Sequence, residues 1–366
     1  MGAERCPAAC NHRRLSSTLD ARRERSGVPE SLRYLKANAV SMSITRFLCI
    51  AAVFASGTAA GQSLDSEAQV HARQSYELAR RNALAEAVTE MREAIRLSPG
   101  NPLYHSALAG ILSKEDQLAG AKTELEVALS LKPPDRARTV IEQRLAETDL
   151  KLGEALARGG QLQEGLAVAS DAAKRFEQDP KVWQMLGYFQ QHLQLNSLAV
   201  QSYRNAVKLD PASAESNVGL ATAQFAAGME ADAVRTLEAG IGKFPEDPAH
   251  FQALGVVLLR LSESGQDTAA RSREMFEKAL RLDQTLPEAQ YEVGMSLFRA
   301  NNLSAAKEHL LLAEASAPND SRIHFALSKL YRREGQTADS EREMRAFERS
   351  KTEGNDRAVA RLRREP

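Results

Sequence analysis

The stretch that decides the fold is residues 180–211, "PKVWQMLGYFQQHLQLNSLAVQSYRNAVKLDP". Trp183, Leu186 and Gly187 fall three and four positions apart, and so do Ala199, Tyr203 and Ala206. That spacing puts each trio on one face of a helix. Pro211 follows the second run, where a residue without an N–H cannot continue the helical bonding pattern. The stretch therefore describes two short helices that turn their small and apolar residues toward a common seam.

The same register recurs along most of the chain. It divides residues 68–354 into blocks 68–101, 102–135, 146–179, 180–213, 214–247, 248–286, 287–320 and 321–354, with 136–145 standing outside the period. Gly153, Gly187, Gly255 and Gly294 share one position of the first helix, and Ala109 and Ala221 hold it elsewhere. A small residue there lets the two helices of a pair approach closely. Ala87, Ala121, Ala199, Ala233 and Ala306 mark the start of the second helix. Ala94, Ala128, Ala172, Ala206, Ala279 and Ala313 recur along that helix's inner face. Pro99, Pro133, Pro211, Pro245 and Pro318 close it. The loops "GGQ", "AGME" and "EGQ" put glycine where the first helix ends.

These landmarks resemble the tetratricopeptide repeat, whose 34-residue pattern runs W-x2-L-G-x2-Y, A-x3-F, A and P. Gln190 departs from the family's Tyr, and Tyr203 stands where the family has Phe. The resemblance implies an all-α fold: a right-handed solenoid of about eight stacked antiparallel helix pairs. No pair can bury its own apolar face, so stability comes from packing between neighbours. It also implies a concave groove lined by the first helices. Residues 136–145, "ARTVIEQRLA", are expected to extend the next first helix or to link two parts of the array. Residues 355–366 form a charged tail.

The N-terminal sixty residues differ from the repeats. Residues 1–41 are Arg-rich and show no sustained apolar period. They are expected to be disordered, or to be upstream sequence in front of a true start at Met42. Residues 42–62, "MSITRFLCIAAVFASGTAAGQ", have the proportions of a secretory signal: one charge at Arg46, an apolar core at Phe47–Ala55, then small residues. The apolar run is too short to span a bilayer. Cys6, Cys10 and Cys49 all precede Gln62. A chain processed at 61 would enter an oxidising compartment with no thiol. Export to the periplasm or the exterior is therefore the expectation, with a short anchor or a cytoplasmic location as alternatives.

Composition offers little chemistry. The 366 residues are 43% apolar, 26% charged and 5% aromatic, with a formal net charge of zero, so no bulk field attracts nucleic acid. There is no phosphate-binding glycine loop, no H-E-x-x-H and no G-x-S-x-G. His71, His105 and His324 take the position that Trp183 holds in its unit, a packing position between helices. They are expected to be neutral fillers. No catalytic set, metal or cofactor is expected, and the partner is expected to be a protein or peptide. The groove candidates are Tyr188 and Gln191; Val218, Thr222 and Phe225; Tyr291, Met295 and Phe298; and Phe325, Lys329 and Arg332. The chaperone-type carboxylate clamp of the family is not expected. Its positions in the last three units read Gln252 and Val256, Glu292, then Arg322 and Ala326. A carbohydrate-contacting accessory using Tyr188 and Tyr291, or a cytosolic adaptor, is the alternative to an exported peptide-binding scaffold.

Overall fold

The structure is a computed structural model that describes residues 59–362, with the side chains of 65–352. The Arg-rich segment and the signal-like run up to residue 58 lie outside the described residues. Among the described residues there are sixteen helices and no strand. They form eight pairs: α1 (Ala59–Arg80) with α2 (Leu84–Leu97), α3 (Pro102–Lys114) with α4 (Leu118–Ser130), α5 (Asp135–Gly159) with α6 (Leu162–Arg175), and α7 (Pro180–His192) with α8 (Asn196–Leu209). The remaining pairs are α9 (Ala214–Ala226) with α10 (Glu230–Lys243), α11 (Pro248–Glu263) with α12 (Ala269–Leu282), α13 (Pro287–Arg299) with α14 (Leu303–Ser316), and α15 (Ser321–Arg333) with α16 (Thr337–Leu362).

The helix boundaries follow from local chemistry. Proline opens α3, α7, α11 and α13, where its missing N–H costs nothing and its fixed φ suits the first turn. Asn101, Asp179, Ser213, Asp247 and Asp320 each accept a hydrogen bond from a backbone N–H of the helix that follows. At every turn from a first helix to its second, one residue takes the left-handed conformation: Asn82, Asp116, Gly160, Gln194, Gly228, Gly265, Asn301 and Gly335. The second helices stop at Leu97, Leu209, Lys243 and Ser316, two residues before Pro99, Pro211, Pro245 and Pro318.

Packing follows the repeat. The alanines of the second helices at 87, 94, 121, 128, 199, 206, 233, 279, 306 and 313 are fully buried. Gly187 is a true close approach: a Cβ there would stand 2.9 Å from the ring of Tyr203. Polar bridges between paired helices recur as well. Ser75 donates to the Ala87 carbonyl, Ser202 to Gln190 and Thr236 to Gln224.

Each second helix packs on the first helix of the next unit, so the pairs stack in one direction into an α-solenoid. First helices of successive units also touch one another, at α3–α5, α5–α7, α7–α9, α9–α11 and α13–α15. Second helices make no comparable contact with each other. The stack is therefore tighter along the first helices, which puts them on its inner, concave side. Residues 136–145 belong to α5, one unbroken helix from Asp135 to Gly159. Likewise residues 355–362 continue α16 rather than forming a separate helix. Among the described residues no helix is long and apolar enough to cross a membrane.

Candidate functional site

The sequence-expected groove residues all sit on first helices, and they divide by exposure. Tyr188 and Gln191 on α7 are half-buried, as are Val218, Thr222 and Phe225 on α9 and Tyr291, Met295 and Phe298 on α13. Phe325, Lys329 and Arg332 on α15 are exposed. Five of the half-buried residues also pack against core clusters: Tyr188, Phe225, Tyr291, Met295 and Phe298. They are walls of the core that keep one face free. The Thr222 hydroxyl turns inward to donate to the Gly219 carbonyl at 3.0 Å.

The aromatic members are fixed by neighbours on the same or the adjacent unit. Tyr188 lies 4.0 Å from the His192 ring, centroid to centroid, and meets Phe189 edge-on. The Arg322 guanidinium stands 5.1 Å from the Tyr291 ring centre and forms a two-pronged pair with Glu288, so units seven and eight are joined over this ring. Bonds to Asp320 and to Glu288 both hold the Arg322 cation in its charged form. Lys329 lies 4.2 Å from the centre of Phe325, and Phe347 of α16 packs 5.2 Å from the same ring. Arg333 stands 5.2 Å from Phe298. Cations placed over ring faces leave the ring edges and the aliphatic stems as the contact surface.

Sequence inspection missed the Glu215 carboxylate of this face and read Glu292 only as a departure from the carboxylate clamp. Glu215 on α9 and Glu292 on α13 are half-buried, and burial pushes both carboxyl groups up from their ordinary range. For Glu215 a hydrogen bond with Gln184 opposes the shift, and the charge of Glu154 adds to it. On α11 the Gln252 side-chain oxygen is buried with no hydrogen-bond partner. The second position of each first helix, occupied by Glu215, Glu288 and Arg322, was the signal that could have found part of this set.

The histidines differ from their sequence-level description. Each meets a carboxylate nineteen residues on, across the helix pair. His71 Nδ1 is 2.7 Å from Glu90, His105 Nδ1 2.7 Å from Glu124 and His324 Nδ1 3.0 Å from Glu343. They are polar interlocks within a unit rather than inert fillers. The constant spacing was visible in the sequence, but only the structure shows the pairs facing each other.

Comparison with known proteins agrees with this geometry. Family models described as tetratricopeptide repeat match residues 180–213 and 197–255. No curated protein sequence matches significantly. Among solved structures, the C-terminal part of a TPR repeat-containing protein from Cytophaga hutchinsonii aligns with a TM-score of 0.50. The identity is 12%, covering 70% of this chain and 98% of that one. A tetratricopeptide repeat protein from Parabacteroides merdae aligns with a TM-score of 0.46 at 18% identity, covering 72% and 98%. PilF of Pseudomonas aeruginosa aligns with a TM-score of 0.48 at 18% identity, covering 57% and 92%. At such identities the likeness concerns the fold alone. Family models over residues 180–255, repeat landmarks and eight helix pairs in register agree on one conclusion: the chain carries tetratricopeptide repeats.

Proposed function

We propose that this protein is an exported, non-catalytic scaffold that holds an extended segment of a partner protein along its concave face. The fold points to protein–protein interaction in general. The observation that carries it is the row of aromatics, Tyr188, Phe225, Tyr291, Phe298 and Phe325, borne on α7, α9, α13 and α15 of the inner side. Each has one face packed and another part accessible, and rigid aromatics of that kind anchor interfaces at low entropic cost. Half-buried Glu215 and Glu292 between them supply acceptors for backbone N–H groups or a basic side chain.

Selection from a phage-displayed random peptide library tests this. The expected result is a consensus that binds the full chain and loses at least about tenfold in affinity, about 1.4 kcal/mol, with Tyr188→Ser, Tyr291→Ser and Phe325→Ser combined. Unchanged helicity in that variant excludes unfolding as the cause. Peptides that bind the triple variant equally well would place recognition elsewhere.

Export rests on the signal-like run at 42–61 and on the confinement of all three cysteines to the residues before Gln62. The intact mass of protein recovered from its host, fraction by fraction, decides it. A form starting near Gln62 outside the cytoplasm is expected. A cytoplasmic form that keeps residues 42–61 would overturn this part and leave the groove reading standing.

A further inference from the structure

Three side chains converge where the last unit docks. Glu314 comes from α14, His324 from α15 and Glu343 from α16, and one donor atom of each lies within 4.8 Å of the other two. His324 and Glu343 are buried, while Glu314 remains partly open to solvent and leaves a path inward.

The chemistry of the histidine decides what the cluster asks for. His324 Nε2 lies 2.9 Å from the Pro318 carbonyl. A carbonyl oxygen only accepts, so Nε2 carries a proton and Nδ1 is the free nitrogen of the neutral ring. Nδ1 faces two carboxylates, Glu343 Oε2 at 3.0 Å and Glu314 Oε1 at 3.6 Å. A lone pair opposite two anions repels unless a proton or a metal cation sits between them. A second ring N–H held by a backbone carbonyl is also the usual support of a metal-bound histidine.

The chain contains its own control. His105 in the second unit has the same arrangement, with Nε2 3.2 Å from the Pro99 carbonyl and Nδ1 2.7 Å from Glu124. The residue matching Glu314 there is Ile95, so a single proton shared in one short bond satisfies the pair. At His324 the bond is longer and a third ligand is present. Zinc bonds of about 2.1 Å in a tetrahedron separate neighbouring ligand atoms by about 3.4 Å. The two separations from Nδ1 bracket that value.

We propose that Glu314, His324 and Glu343 form a zinc site with an open fourth position, which clasps the terminal helix pair α15–α16 to α14. Imidazole nitrogen with two carboxylates suits zinc among divalent ions. Arg342 does not occupy the same atom: its Nε donates to the other oxygen of Glu343 at 3.1 Å, and it also pairs with Asp339.

Chelator-stripped full-length protein, dialysed against buffered zinc, tests this beside Glu314→Gln and His105→Gln. Cys6, Cys10 and Cys49 offer zinc other ligands in the full chain, so the readout is localised by amide hydrogen exchange. Zinc is expected to slow exchange in residues 303–350 of the wild type and of His105→Gln. Glu314→Gln keeps the His324–Glu343 pair and the fold, yet is expected to need at least about tenfold more zinc for the same slowing. Exchange that ignores zinc, or a Glu314→Gln response equal to wild type, overturns the proposal and leaves the three groups sharing a proton only.

Discussion

Gln194 holds a backbone conformation that suits a different residue. Its φ is 61°, at the turn where four other units place glycine. Asn82, Asp116 and Asn301 share that conformation, but their short side chains tolerate it through local hydrogen bonds. Glutamine has no such compensation. Replacing Gln194 with Gly is expected to raise stability by about 1 kcal/mol, read from the urea midpoint, because the left-handed penalty exceeds glycine's added chain entropy. The reverse experiment is at Gly187, whose missing Cβ admits the buried Tyr203 ring. Gly187→Ala is expected to cost about 1–3 kcal/mol by overpacking, measured in the same titration. The Gly187 contact was legible because small residues recur at its position. The turn at Gln194 was not, since glycine signals such a turn and "LQLN" contains none.

At the scale of elements, α5 carries a buried charged joint that sequence reasoning missed. Asp149 stands where Trp183 stands in the next unit, and it is fully buried. Lys122 of α4 donates to it at 2.8 Å, and Asp171, Glu126 and Arg175 continue the network at the surface. The second oxygen of Asp149 has no hydrogen-bond partner. Lys122→Met leaves a buried carboxylate uncompensated and is expected to cost about 3 kcal/mol; adding Asp149→Leu is expected to restore most of it. Chemical denaturation of the single and double variants checks this. Burial pushes the Asp149 carboxyl up, with Lys122 opposing. A folded-state pKa above the unfolded value means that the folded protein binds this proton first. Stability at this site therefore rises as pH falls toward the ordinary Asp range of about 4 and is lost as pH rises through the folded value. Asp149→Asn is expected to flatten that part of the stability–pH curve. The periodicity announced a first helix here and its extension, but a carboxylate at a packing position announces nothing about the lysine 27 residues earlier that meets it.

Across the whole molecule, each unit is buried by its neighbours, which makes the ends the vulnerable part. The core is a series of clusters: one from Ala68 to Leu145, one around Ala169–Phe189, and others centred on Tyr203, Phe276 and Leu310. The repeat period made this serial layout legible. The groove was legible only as a set of first-helix positions, because which face stays open depends on how far neighbouring units close on each other. The last cluster joins Ala306, Leu310 and Ala313 of α14 to Ile323, Leu327 and Leu330 of α15. Ending the chain after Pro318 removes those partners and uncovers Leu310, now fully buried, at about 1.5–3 kcal/mol for each large side chain exposed. Tyr291, Met295 and Phe298 lean on the same cluster, so their end of the groove should loosen too. Ending the chain after Lys351 keeps every member of the cluster. The first truncation is expected to lower the melting temperature and to self-associate in sedimentation velocity, with loss of any peptide that engages Tyr291. The second should melt and sediment as the full-length protein does. If both behave alike, the last pair is not held by its neighbour, and nearest-neighbour burial fails as the account of this end.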